Sequence, residues 1–136
     1  LVTTRQKILI ENNTFFRMQM NGLLIADDAR SWFESGMVRN VTIRNNNFIE
    51  CNTPVILIAP ENIQNAGYVH QNITISNNRF QLKGVDAISA KSVDGLNITG
   101  NLFLTPENSN LEKLIKTREC NNVMIKDNII EKIKDY

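Results

Sequence analysis

Residues 40–48 read NVTIRNNNF: a short β-branched run, an asparagine cluster, then a phenylalanine. The phrase returns as KILIENNTF at 7–15, NITISNNRF at 72–80, GLNITGNLF at 95–103 and NNVMIKDNII at 121–130. Aligned, the five copies put Asn13, Asn46, Asn78, Asn101 and Asn128 at one position, at intervals of 33, 32, 23 and 27 residues. Periods of roughly 20 to 50 residues mark stacked, repetitive architectures. Val41-Thr42-Ile43 and Ile73-Thr74-Ile75 alternate apolar and polar residues with period two, so each phrase opens with a strand whose middle residue faces water.

A repeat made of one such strand, a turn and a second short apolar run cannot bury its inner face alone and must stack on its neighbours. The fold class that follows is all-β: a parallel β-helix of about five coils, forming one domain over residues 1–136. The recurrent asparagine suits the turn because its short amide tolerates left-handed backbone angles and bonds nearby backbone groups. Piled coil on coil, these amides should form an asparagine ladder. Phe15, Phe48, Phe80, Phe103 and Ile130, two residues further on, should point inward as a second ladder.

The second apolar runs are GLLIA (22–26), PVILIA (54–59), VDAISA (85–90) and KLIKT (113–117). Ten residues beyond Phe15, Phe48 and Phe80 lie Ile25, Ile58 and Ala90, so both strands keep one register, and the fourth coil lengthens by two. Insertions follow the second strand on one face: DDARSWFESGMVR at 27–39 and PENIQNAGYVHQ at 60–71, against a bare KSVDG in the third coil. The fourth coil carries its extra residues elsewhere, in TPENSN at 105–110. Two long loops leaving one corner on adjacent coils make a wall beside a groove. Helical periodicity is confined to 110–115 and 129–133, each a turn or two, with the tail EKIKDY closing the end or fraying.

An apolar fraction of 42% in 136 residues is that of a single globular domain. Fifteen basic and fourteen acidic side chains are scattered and leave a net charge of +1, which gives no electrostatic reason for nucleic acid or anionic lipid as a partner. No apolar run approaches the ~20 residues needed to cross a bilayer. The start, LVTTR at 1–5, reads as the second strand of a coil whose first half is missing. The chain is therefore expected to be part of a larger protein whose upstream portion carries any polar cap and export signal. Cys51 and Cys120 are too few for a disulfide scaffold or a zinc site, and read as small buried hydrophobes. With His70 the sole histidine, no metal site is expected; His70 itself reads as a turn or interface residue.

Chemistry concentrates in the first insertion, which holds Asp27, Asp28, Arg30, Trp32, Glu34 and Ser35. Carboxylates accept hydrogen bonds from hydroxyls, and an indole stacks on the apolar face of a sugar ring. Asp27 and Asp28 are sequence neighbours, so on a continuing strand they point to opposite sides and cannot face each other. Asp28 and Glu61, at corresponding positions one coil apart, are the better candidates for a catalytic acid/base pair. Coils are spaced by ~4.8 Å, and glycosidic pairs stand ~5 to ~9.5 Å apart. Arg5 aligns with them one coil earlier, so Arg5, Asp28 and Glu61 form a polar column. Against this stands a plainer reading, in which the aspartates cap turns, Arg5 neutralises them, and Trp32 and Phe33 plug the loop. Sequons beginning at Asn12, Asn40, Asn72 and Asn97 arise from the repeat itself and say little about glycosylation.

GLLIADDARSWFESGMVRNVTIRNNNF, followed by PVILIAPEN, YVHQNITISNNRF and SAKSVDGLNITGNLF, resembles glycoside hydrolase family 110. SWFESG with PEN and AKSVDG in that order is the specific part; VTIRNN alone would fit any β-helix. The resemblance implies a right-handed parallel β-helix from a bacterial enzyme that removes terminal α-1,3-linked galactose, including the blood-group B determinant, with inversion and without a cofactor. It is to the C-terminal part of such an enzyme, after its inserted β-barrel modules. It also implies a further acidic pair on an upstream coil, where the catalytic carboxylates are expected, so that this chain alone would be inactive or nearly so. Arg5, Asp27 to Gly36 and Glu61 would then border the galactoside cleft, with Arg5, Asp27, Trp32 and Glu34 as substrate contacts. The implied partner is a terminal α-galactoside glycan and the implied location periplasmic or extracellular; oligomeric state stays open, a homo-oligomer included.

Two other readings fit a β-helix. A polysaccharide lyase acting on uronates would use Lys91, Arg118 and Arg5, although Asp27, Asp28 and Glu61 would repel a polyanion. A carbohydrate-binding or purely structural solenoid would have uniform coils, without a loop-borne tryptophan and acid cluster.

Overall fold

The computed structural model describes residues 7–25, 39–59, 70–84 and 86–133. Its first coil contains β1 (Ile8–Glu11), β2 (Thr14–Phe16) and β3 (Asn21–Ile25). The second contains β4 (Arg39–Arg44), β5 (Asn47–Ile49) and β6 (Asn52–Ile58), and the third β7 (His70–Ser76), β8 (Arg79–Gln81) and β9 (Ile88–Lys91). In the fourth, β10 (Val93–Thr99) and β11 (Leu102–Thr105) precede a helical turn, α1 (Leu111–Leu114), and β12 (Ile115–Arg118). Two strands of a fifth follow, β13 (Asn121–Lys126) and β14 (Ile129–Lys132). Among the described residues this makes four full coils and part of another, against the expected five or so.

Every pairing is parallel and joins a strand to its counterpart one coil away, giving three sheets: β1-β4-β7-β10-β13, β2-β5-β8-β11-β14 and β3-β6-β9-β12. The parallel β-helix expected from the repeat is the fold observed. The register is the one read from the alignment: Ile25 pairs with Ile58 and Ile58 with Ala90.

Three details differ from expectation. Each full coil has three strands, because the phenylalanine segment is a strand of its own; at three residues in most coils it is too short to show an alternation. Ala90 pairs with Thr117, fourteen residues beyond Phe103 rather than twelve, and the excess forms α1, whose N-cap Asn110 accepts from the Lys113 N–H at 3.0 Å. Residues 129–132 are strand, not helix, because Ile129 and Ile130 sit in register on Leu102 and Phe103. A stacked edge next door outweighs weak local propensity.

The core is a column of inward side chains from all three sheets. Val41 and Ile43 on β4, Ile73 and Ile75 on β7, and Leu96 and Ile98 on β10 are all fully buried. Burying one such side chain contributes ~1.5–3 kcal/mol relative to leaving it exposed. Thr42 and Thr74, on the outer face, are half-buried. Phe15, Phe48, Phe80 and Phe103 stack with centroids 4.8, 4.9 and 4.9 Å apart and planes within 19° of parallel. The strand spacing itself sets that distance, since each ring rides on one strand of the ladder.

The asparagine ladder runs unbroken. Asn13, Asn46, Asn78 and Asn101 each donate through Nδ2 to Oδ1 of the next, at 3.2, 3.1, 3.1 and 3.0 Å, ending on Asn128. The same Oδ1 atoms accept the backbone N–H of the preceding ladder residue at 2.9 to 3.0 Å. The second amide hydrogens of Asn46, Asn78 and Asn101 go to the carbonyls of Ile10, Ile43 and Ile75. The left-handed backbone belongs to the residue before: Asn12, Asn45, Asn77, Gly100 and Asp127 have φ between 54° and 66°. Turn formation and amide bonding, assigned to a single asparagine on sequence grounds, are thus divided between two neighbours.

Cys51 is buried and its thiol donates to the Phe15 carbonyl at 3.3 Å. Cys120 is half-buried against the core. His70 is buried at the head of β7, its backbone N–H bonded to the Ser92 carbonyl at 3.1 Å, in keeping with a corner role.

Candidate functional site

The sheet formed by β3, β6, β9 and β12 ends at the corner from which the chain enters the sheet of β4, β7, β10 and β13. At that corner β3 ends at Ile25 and β6 at Ile58, which are register partners. The chain rejoins at β4 and β7, where Arg39 pairs with Gln71. Segments 26–38 and 60–69 are therefore rooted side by side, leaving adjacent strands and returning to adjacent strands. In the next coil the same corner is closed by Ser92 alone, at φ 59°. The coil after uses Glu119, at φ 53°, and Cys120.

Asp27, Asp28, Trp32, Glu34 and Glu61, the loop candidates of the sequence, and Arg5 before the first strand all lie outside the described residues. What the structure supplies is the scaffold on which their segments are rooted and the surface beside it. That surface, the outer face of β6, β9 and β12, contains an open hollow of about 320 Å³. Leu57, Ala59, Ser89, Lys91, Lys116, Thr117 and Arg118 supply its main walls. Its volume lies at the lower end of the range for small-molecule sites. Ala59 is the residue directly before segment 60–69, so the hollow adjoins the loop corner. Its composition joins a small apolar floor to Ser89 and to cations.

The cations are not equivalent. Lys116 is paired with Asp86. Lys91 and Arg118 are direct register partners on β9 and β12. Ser89, Lys116 and Thr117 escaped notice in the sequence; the signal that could have found them is the alignment of KLIKT under VDAISA, shifted to the register now seen. A second hollow, of about 280 Å³, lies at the other end of the same strands, between Lys83, Gly84, Lys113 and the insertion 105–109. Thr105 closes that insertion by donating to the Glu107 carbonyl at 2.6 Å. It lies at the opposite end of those strands from the corner where the two long segments are rooted.

The model of the right-handed β-helix region matches residues 1–136. The chain belongs to that family. Within it, the chain is 48% identical over 135 residues to the α-1,3-galactosidase A of Bacteroides thetaiotaomicron, a match covering 96% of this chain and 24% of the relative. The α-1,3-galactosidase A of Akkermansia muciniphila is 43% identical over 103 residues, covering 76% of this chain and 17% of the relative. The α-1,3-galactosidase B of the same organism is 34% identical over 140 residues, 94% of this chain and 18% of the relative. The chain thus spans about a quarter or less of these relatives. These relatives bear out the likeness to glycoside hydrolase family 110 read from the motifs SWFESG, PEN and AKSVDG. No helix among the described residues is long and apolar enough to cross a membrane.

Proposed function

We propose that this chain is the cleft-bordering segment of an inverting exo-α-1,3-galactosidase that hydrolyses terminal α-galactosides, blood-group B type glycans included. One observation carries the reading. The two long insertions with the chain's tryptophan and its paired acids are rooted on neighbouring strands, in a chain 48% identical to an α-1,3-galactosidase A.

In the proposed reaction one carboxylic acid protonates the departing glycosidic oxygen, and a carboxylate on the other side of the ring deprotonates an attacking water. Asp28 and Glu61 are the candidates for these roles within this chain; the alternative pair belongs to an upstream coil of the full-length protein. Inversion requires the two carboxyl groups ~6.5–9.5 Å apart to admit the water. Stacked strands lie only ~4.8 Å apart, so the insertions would have to splay the two side chains. Trp32 would stack on the galactose face, while Arg5, Asp27 and Glu34 would bind its hydroxyls. The substrate places the working protein in the periplasm or outside the cell.

The test is release of galactose from an α-1,3-galactobiose and a blood-group B trisaccharide by the full-length protein, with the anomer formed first read by NMR. β-Galactose is expected as the first product. Asp28→Asn and Glu61→Gln should each lower kcat by about 10³-fold or more if they are the acid and base. If the pair is upstream, they should raise KM with kcat changed less than about tenfold. The 136-residue chain alone should release no galactose. Absence of α-galactosidase activity in the full-length protein, or α-galactose as first product, would overturn the proposal.

A further inference from the structure

On the outer surface of the solenoid, three cations among the described residues pair with an acid of a neighbouring coil: Arg44 with Glu11 at 2.9 Å, Arg17 with Glu50 at 2.9 Å, and Lys116 with Asp86. Opposite charges stacked across neighbouring strands help to set the register, whereas like charges directly opposite destabilise it. Lys91 and Arg118 are directly opposite on β9 and β12, and neither takes part in a salt bridge among the described residues. Both line the hollow beside the loop corner, and Ser89, on the same outer face, lines it with them.

We propose that Lys91 and Arg118 form a subsite for an anionic substituent, a sulfate ester or a carboxylate, on the glycan whose terminal galactose enters the neighbouring cleft. The inference rests on the galactoside reading for the identity of the glycan, while the anion preference itself comes from the charge stack. Two cations on adjacent strands, about 5 Å apart in backbone spacing, match the spread of oxygens on one sulfate or carboxylate. Arg118 can bind two of those oxygens at once, and Lys91 adds a point charge. Ser89 can donate its hydroxyl hydrogen to the same group or to a neighbouring sugar oxygen. Leu57 and Ala59 leave an apolar strip for the ring that bears the substituent.

The experiment compares binding of four probes to the full-length protein: a sulfated galactan oligosaccharide, its desulfated form, an oligogalacturonate of equal length, and inorganic sulfate. The expected result is about tenfold tighter binding of the sulfated or the carboxylated oligosaccharide than of the neutral one at low salt. The preference should shrink by 0.5 M salt and vanish in a Lys91→Gln, Arg118→Gln double variant, but survive in Lys83→Gln, Lys113→Gln. Whichever anionic oligosaccharide binds tighter identifies the substituent. Equal binding of charged and neutral probes, or a preference kept by the double variant, would overturn the inference. So would a preference shown by inorganic sulfate alone, with the oligosaccharides bound equally. Hydrolysis of neutral α-1,3-galactosides is scored separately, so its failure sinks the galactosidase reading and leaves the anion result standing on its own.

Discussion

Asn78 shows how a polar side chain can hold up an apolar core. It is buried, and its amide is saturated: Oδ1 takes the backbone N–H and Nδ2 of Asn46, while Nδ2 gives to the Ile43 carbonyl and to Asn101. Removing it strands a buried N–H and a buried carbonyl at once, so Asn78→Ala is expected to cost about 2–4 kcal/mol, read as a lowered urea midpoint. Asn78→Asp should be at least as harmful, because it turns acceptors toward the Ile43 carbonyl and the Asn101 Oδ1. Asn13, exposed in the 136-residue chain, gives the contrast: in that chain Asn13→Ala should cost less than ~1 kcal/mol, since water replaces what is lost. The turn residue beside each ladder amide obeys a different constraint. Gly100 has φ +66°, and a Cβ there would lie 2.5 Å from Oδ1 of Asn77. Gly100→Ala should therefore destabilise by roughly 1–2 kcal/mol, checked on the same urea curve.

A strand here is stable only as one layer of a stack. β5 and β8 are three residues long and would not persist alone, yet Phe48 and Phe80 on them are buried between rings above and below. Phe80 touches a ring on each side, so Phe80→Ala should cost ~3–5 kcal/mol, and Phe80→Leu, which keeps most of the volume, under ~1.5 kcal/mol. Half-buried Phe15 has one stacked neighbour among the described residues, and in the 136-residue chain Phe15→Ala should lie well below Phe80→Ala in the same thermal or urea series. A ranking of equal losses would show that the rings contribute only as separate hydrophobes. The element-scale surprise was β14, whose sequence suits a helical turn but which follows the edge of β11. Period and propensity see one segment at a time, and the decisive partner is the strand one coil earlier.

For the whole molecule, the coil is a frame that tolerates extra chain at its corners. The change from β9 to β10 needs one residue, Ser92, whereas β6 and β7 are separated by the segment after Ala59 and before His70. Loop closure costs only ~0.6 kcal/mol per doubling of length. Replacing residues 60–69 with a single glycine, which accepts the left-handed angle used at Ser92, should therefore leave the urea midpoint nearly unchanged. The same replacement in the full-length protein should abolish detectable α-galactoside binding by calorimetry. Loss of folding would mean that the segment is part of the core; retained binding would mean that the cleft does not use it.

The repeat of asparagine, phenylalanine and paired strand was legible from residues alone, because a solenoid makes each coil obey the same local demands and so writes them into the sequence five times. The register of the second strands and the shared corner of the two long insertions could be counted for the same reason. The division of each turn between a left-handed residue and a bonded amide, the third strand of each coil, and the four-residue excess absorbed by α1 needed the tertiary structure. So did the stacking of Lys91 on Arg118: they lie 27 residues apart in sequence, and neither belongs to the repeated phrase. Such contacts are set by which outward side chains parallel stacking brings opposite one another across coils of unequal length, and pattern within a single coil contains no record of that.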